Sequence, residues 1–256
     1  MATVADILHY IESEIAPRSM KMDWDNVGLN LGRRDKEVKT ILVALDPFTH
    51  VCEEAKAVGA DLLVTHHALI WQPGFITDGD NQGRNALFLI ENGIAHINAH
   101  TNLDCADGGV NDALASVLGL QDITLVPGDS EHLLRMGQVE EQSLESFLAT
   151  VKANLHCDGL RYVSGGKSVR KVAVGGGSCS GAMAEVAAAG CDTFVTADVK
   201  YNGFWDAKDL GLNLIDAGHF HTENPVVAVL AEKIAAAFPE IQVKISVSHR
   251  DCMKYY

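Results

Sequence analysis

The chain has little of several things, and each shortage excludes a class. No apolar stretch approaches the roughly 20 residues that a membrane-spanning helix needs. The N-terminus, MATVADILHYIESEIAP, has no basic segment followed by an apolar block. Ile7, Leu8, Ile11 and Ile15 fall at helical spacing, so it reads as a first helix and not as a secretory leader. The six cysteines (52, 105, 157, 179, 191 and 252) form no CxxC and no close pairs, which points to reduced thiols and a cytoplasmic location. Positive charge is scarce: 20 Lys and Arg against 34 Asp and Glu, a formal net charge of −14. Duplex binders draw affinity from neutralised phosphates, so a nucleic-acid partner is disfavoured; the weak basic stretch at 161–171 is the one exception. The glycine run GGGSCSG (175–181) lacks the GK[ST] ending of a P-loop, and there is no Ser-His-Asp order for nucleophilic serine chemistry.

What is present is an ordinary globular composition, 47% apolar and 21% charged, over 256 residues, enough for one large domain or two small ones. Strands and helices alternate. TILVALD (40–46), DLLVTHH (61–67) and IAHINAH (94–100) read as strands, with helices at 50–60, 85–93 and 110–120. KVAVGGG (171–177), CDTFVTAD (191–198) and LNLIDAGH (212–219) repeat the strands, with a helix at 180–190. Residues 41–67 align without a gap on 172–198, an offset of 131, sharing Val43/Val174, Glu54/Glu185, Gly59/Gly190, Asp61/Asp192 and Thr65/Thr196. An offset of 118 places Gly93 on Gly211 and Ala99 on Ala217. The pattern predicts an internally duplicated β-α-β-α-β unit, with convergence of two similar units as the alternative. RMGQVEEQSLESFLATVKANL (135–155) reads as strand, Ser143 cap and helix, and 225–251 as a helix and a strand that return to the first domain.

Six of the eleven histidines fall in three clusters, His66-His67, His96/His100 and His219/His221, each at or beside the C-terminal end of a predicted strand, where open α/β sheets bind ligands. Adjacent histidines cannot easily share one metal but can give a ligand to each of two. Asp104 follows the second cluster in HTNLD, and Glu223 stands four residues after His219, on the same face if that stretch is helical. The resulting set is His66, His67, Asp104, His219 and Glu223: three imidazoles and two carboxylates, an N/O shell for two ions of Zn, Fe, Mn or Co. Taken singly, each cluster reads more simply as structural histidine.

The segments DWDNVGL (23–29), THHALIW (65–71), HTNLDCADGGVND (100–112) and DAGHFHTE (216–223) resemble, in order and spacing over essentially the whole chain, the dinuclear-metal proteins known as GTP cyclohydrolase type 2 homologues. The eukaryotic members are called NGG-interacting-factor-three-like proteins, and the length matches the short bacterial form. The resemblance implies the same five ligands, two linked α/β domains with helices packed on mixed sheets, a metal site in the cleft between them, and a homohexameric ring. Two positions depart from the family pattern: Ala68, where many members have Pro, and His221, where a small or apolar residue is common. The expected domains are 1–127 with 220–256, carrying most ligands, and 128–219, divided near VPGDSEH (126–132).

The function expected from this set is metal-dependent hydrolysis of a small nucleotide-like or phosphorylated substrate, with Glu223 bridging the metals and His100 carrying a proton. The alternative is a non-catalytic, metal-binding regulatory or partner-binding ring. Asp25-Asn26 reads either as a contact to the site or as an Asx turn into a strand at Gly28, and GGGSCSG (175–181) as a tight turn in preference to a phosphate cradle. Lys200, Tyr201 and Trp205 read as packing residues or as lining of the cleft.

Overall fold

A computed structural model describes every residue except Pro73. In chain order the elements are α1 (Val4–Tyr10), β1 (Gly28–Leu31), β2 (Thr40–Ala44), α2 (Thr49–Ala57), β3 (Leu62–Thr65), α3 (Asn81–Glu91), β4 (Ala95–Asn98) and α4 (Thr101–Cys105). There follow α5 (Val110–Val117), β5 (Gln121–Leu125), β6 (Arg135–Gln142), α6 (Leu144–Asn154), β7 (Arg161–Val163), β8 (Val169–Val174), α7 (Met183–Ala188), β9 (Thr193–Thr196), α8 (Tyr201–Asp209), β10 (Asn213–Asp216) and α9 (His219–Glu223). The chain ends with α10 (Pro225–Ala237) and β11 (Gln242–Ile245). It forms two compact units, Met1–Ala106 with Val227–Arg250, and Asp107–Val226 with Asp251–Tyr256. Among the described residues no helix is long and apolar enough to cross a membrane.

The fold is mixed α/β with two sheets. The first unit holds a five-stranded sheet in the order β1-β4-β3-β2-β11, parallel except for β1. β2, β3 and β4 are buried along almost their whole length, β2 and β3 being mostly apolar, as strands covered on both faces are. The second unit holds six strands, β5-β6-β8-β9-β10-β7, with β8, β9 and β10 parallel. Ser143 caps α6 as the sequence indicates, its hydroxyl accepting from the Ser146 amide (3.2 Å).

The repeat is visible in hydrogen-bond register. Ile41 pairs with Leu62, and at the offset of 131 Val172 pairs with Thr193. Leu62 pairs with Ala95, and Thr193 with Asn213, which adds the offset of 118 on the third strand. The carboxylate of Asp61 accepts from the Lys39 and Thr40 amides (2.9 and 3.1 Å), and that of Asp192 accepts from Arg170 and Lys171 (3.0 and 2.7 Å). Convergence on a common fold explains shared apolar strands. It gives no reason for the same aspartate tying down the same two amides at one constant offset.

The edge strands β5 and β7 escape a sequence reading. β5 is mostly exposed and β7 has three residues, so neither carries the apolar run or clean alternation that marks a strand.

Candidate metal centre

In the first unit the site grows from the C-terminal ends of parallel strands. β3 runs into His66 and His67. β4 runs through Ala99 to His100, and α4 then brings Asp104 back one turn later. His66 is fully buried, and its Nδ1–H donates to the Ala99 carbonyl (2.9 Å). That bond fixes the tautomer, so Nε2 carries the lone pair. Nε2 lies 3.6 Å from Asp104 Oδ1. The His67 Nδ1–H donates to Asp46 Oδ1 (2.6 Å), at the end of β2. His100 Nδ1 lies 3.0 Å from Asp25 Oδ2. The three ring centroids are 4.8, 5.1 and 5.5 Å apart, and His66, His67 and His100 each bring one nitrogen close enough to hold a metal ion together.

Two aspartates aim these rings. Asp25 is buried and accepts from the Thr101 amide (3.0 Å) and hydroxyl (2.6 Å) at the start of α4. Burial pushes its carboxyl upward, but the bonds from His100 and Thr101 outweigh this and hold it at about 2. Asp46 also accepts from His249 Nε2 (2.8 Å), so one carboxylate is clamped between two imidazoles. Burial again opposes ionisation there, and the two histidine bonds overcome it, leaving the group below the usual carboxylate range. His249 is brought in by the segment after β11. Glu54 accepts from the Ser246 hydroxyl (2.5 Å), the Val247 amide (2.9 Å) and the Ser248 amide (3.1 Å) and hydroxyl (2.6 Å).

In the second unit β10 ends at Asp216, whose Oδ1 accepts from the Gly218 amide (3.1 Å). Gly218 turns with φ +83° into α9. The helix sets His219 and Glu223 on one face, with Nε2 to Oε2 at 2.9 Å. The His219 Nδ1–H donates to Asp198 Oδ2 (2.8 Å), the residue that aligns with His67. Burial raises Asp198, while its bonds from Ser178 and His219 lower it by more. The glycine run 175–177 is a tight turn under this pair. The Gly176 amide donates to Asn111 Oδ1 (2.7 Å) and the Gly177 amide to Thr222 Oγ1 (3.0 Å), so neither is turned to an anion. A Cβ on Gly177 would fall 2.1 Å from Glu223 Oε1 and 3.2 Å from His219 Cε1.

The donor set fits a divalent metal. His66, His67 and His219 each give Nδ1–H to a carbonyl or carboxylate, the arrangement that orients metal-bound imidazoles and presents Nε2. At His66 and at His219 the Nε2 lone pair then faces a carboxylate oxygen. Two acceptors facing each other require a proton or a cation between them.

Other histidines have structural partners. His96 sits within β4, buried and bonded to Thr65 Oγ1 (2.7 Å), with its pKa lowered to about 3 by burial. His221 donates to the Leu155 carbonyl (3.1 Å) and lies 3.2 Å from Asp251. Sequence reading assigned no role to Asp46, Asp198 or His249. Their one signal is position: Asp46 and Asp198 stand two residues after the ends of β2 and β9.

The chain matches the Duf34/NIF3 (NGG1p interacting factor 3) family over residues 2–252. It is 37% identical over 238 residues to the GTP cyclohydrolase 1 type 2 homolog of Clostridium perfringens, covering 90% of each chain. Among solved structures it is similar to Staphylococcus aureus protein SA1388, at 27% identity and a TM-score of 0.91, covering 100% of this chain and 99% of that one. It is also similar to reduced HcgD from Methanocaldococcus jannaschii, at 30% identity and a TM-score of 0.82, covering 95% and 97%. With two sheets, a repeated strand register and this breadth of match, the chain belongs to the Duf34/NIF3 family.

Proposed function

We propose that His66, His67, Asp104, His219 and Glu223 hold two divalent metal ions, and that the protein is a metal-dependent hydrolase of a small nucleotide-like or phosphorylated substrate. The observation that carries this reading is the facing of acceptor against acceptor. With Nδ1–H committed, His66 Nε2 meets Asp104 at 3.6 Å, and His219 Nε2 meets Glu223 at 2.9 Å. Bound cations would supply Lewis acidity, acidifying water toward neutral pH and offsetting negative charge that develops on the attacked group.

The remaining chemistry belongs to the chain. Asp46 and Asp198 orient His67 and His219 and raise their basicity as ligands. Glu223, with two oxygens, would give one to each ion. His100, held at 3.0 Å from Asp25, carries a proton between substrate and solvent. The metal is Zn, Fe, Mn or Co, since imidazole and carboxylate suit all four. The net charge of −14 argues against a nucleic-acid partner. A cytoplasmic protein assembled as a homohexamer completes the reading, on the strength of a cysteine pattern without CxxC and the family likeness.

Elemental analysis of protein purified without chelator tests the assignment. About two ions per chain are expected in wild type, and fewer in Asp104→Ala. The metal-loaded wild type should hydrolyse a nucleotide, phosphodiester or purine-ring substrate, and Glu223→Gln should not. No bound metal after incubation with Zn, Mn or Fe(II) would refute the site. Full metal with no turnover of any of these substrates would refute the hydrolase.

A further inference from the structure

Two of the three tryptophans stand in the first unit beside the imidazoles described above. The Trp71 ring lies 4.9 Å from His100, centroid to centroid and at 81°, and 6.4 Å from His67. The Trp24 ring lies 6.0 Å from His100 at 73°. Both indoles are steeply inclined to the same imidazole, and both are exposed, by 68% and 41% for Trp24 and Trp71. Leaving two such large apolar surfaces in water is unfavourable, and a compact exposed apolar patch marks a binding surface more often than chance would.

Neither indole is loosely held. Asn26, two residues after Trp24, donates its side-chain amide to the Ile70 carbonyl (2.5 Å), directly before Trp71. Asn30 accepts from the Leu69 and Ile70 amides (3.1 and 3.2 Å) and donates to Asn98 (2.9 Å) on β4. Asp25, next to Trp24, is the buried carboxylate that accepts from Thr101. Part-buried polar clamps thus fix two loops, and each loop carries an exposed indole beside His100. Preorganisation of this kind lowers the cost of binding. The chain has a net charge of −14, so long-range attraction gives an anionic ligand no help, and stacking is the affinity source that charge does not oppose.

We infer that Trp24 and Trp71 form an aromatic rim that stacks a planar heteroaromatic ring. The substrate of the proposed hydrolase is therefore a base-bearing compound of nucleoside or nucleotide type, and not a phosphorylated sugar or alkyl phosphate. The inference rests on the hydrolase reading for its reaction, but the stacking itself is independent of metal. Both tryptophans are specificity residues: they hold the base beside His100, the imidazole proposed above to carry the proton.

The test uses full-length protein carrying Trp205→Phe, so that only Trp24 and Trp71 fluoresce. Guanosine 5′-monophosphate, uridine 5′-monophosphate and ribose 5-phosphate are titrated, with fluorescence and calorimetry as readouts and metal content measured on each sample. Guanosine 5′-monophosphate should quench saturably, the uridine probe more weakly, and ribose 5-phosphate not at all. Trp24→Leu and Trp71→Leu should each weaken guanosine 5′-monophosphate binding by about fivefold to a hundredfold, the range for one base–aromatic stack. Trp24→Phe and Trp71→Phe should restore most of it. Equal affinity for guanosine 5′-monophosphate and ribose 5-phosphate would overturn the inference. So would unchanged binding in the Leu variants, no saturable quenching by either base, or quenching that follows protein concentration and not the probe. Loss of metal with base binding intact would sink the metal site alone, and loss of base selectivity with metal intact would sink the stacking alone.

Discussion

Gly177→Ala separates backbone strain from collision at the His219–Glu223 pair of the second unit. The residue has φ +59°, where any side chain costs about 1–2 kcal/mol, partly offset by about 0.4–1 kcal/mol from a stiffer unfolded chain. The added Cβ would also stand 2.1 Å from Glu223 Oε1 and 3.1 Å from its Cδ, so the carboxylate must move by roughly 1 Å to reach ordinary contact. Glu223 is buried and faces His219 Nε2 at 2.9 Å, and a Cβ on Gly176 would in turn stand 3.2 Å from Glu223 Cγ. Overpacking of this kind adds about 1–3 kcal/mol. Gly190 supplies the control. It has φ +75°, and a Cβ there would meet nothing within 4 Å. Gly190→Ala should therefore cost about 1 kcal/mol and Gly177→Ala about 2–4 kcal/mol, or melting shifts of about 2–4 °C and 4–16 °C. Calorimetric melting and elemental analysis read the two variants side by side. Gly177→Ala should also lose metal affinity by at least about tenfold, because the ligand pair is displaced. Equal melting temperatures and equal metal content in the two variants would refute the reasoning.

Three further outcomes are expected. Asp61→Ala and Asp192→Ala each strand the same two backbone amides, so each should cost about 1–3 kcal/mol in urea unfolding, and a large difference between them would count against the structural repeat. Burial raises the Asp61 carboxyl, but the Lys39 and Thr40 amides and Lys36 lower it by more. Its contribution is therefore complete above the ordinary aspartate pKa and fades as pH falls through the lowered one, and Asp61→Asn should flatten the acid limb of the stability profile. Burial pushes the Cys52 and Cys157 thiols up to about 12 and Cys191 to about 11, whereas Cys252 is exposed. A disulfide reagent at neutral pH should label Cys252 first and reach the other three only on unfolding; early labelling of Cys157 in the folded protein would contradict the burial described here.

Much of the fold was legible because its signals are local. Apolar runs mark β2 and β3, and the offsets of 131 and 118, read from a few identities, reappear in the strand registers. Glu223 could be placed beside His219 from spacing alone, once α9 was taken as helical. The partners that aim the imidazoles were not legible. Asp46 bonds His67 across 21 residues and His249 across 203, and such pairings exist only after parallel strands have set their ends side by side. His96 and His221 mislead a count of histidines for the converse reason. Both sit in the right segments, but backbone direction turns their rings to Thr65 and to the Leu155 carbonyl. The tryptophans of DWDNVGL and HHALIW carry no periodic signal, and their common approach to His100 needs the Asn26 and Asn30 clamps.

The clamp on Asp46 gives the last residues of the first unit a hold on one of its first strands. Glu54 fastens residues 246–248, and this fastening carries His249 to the carboxylate that aims His67. The segment works as a latch: the sheet could keep β11 while the latch is open, and only the imidazole would lose its bearing. Whatever grips residues 246–249 therefore reaches His67 without touching the site.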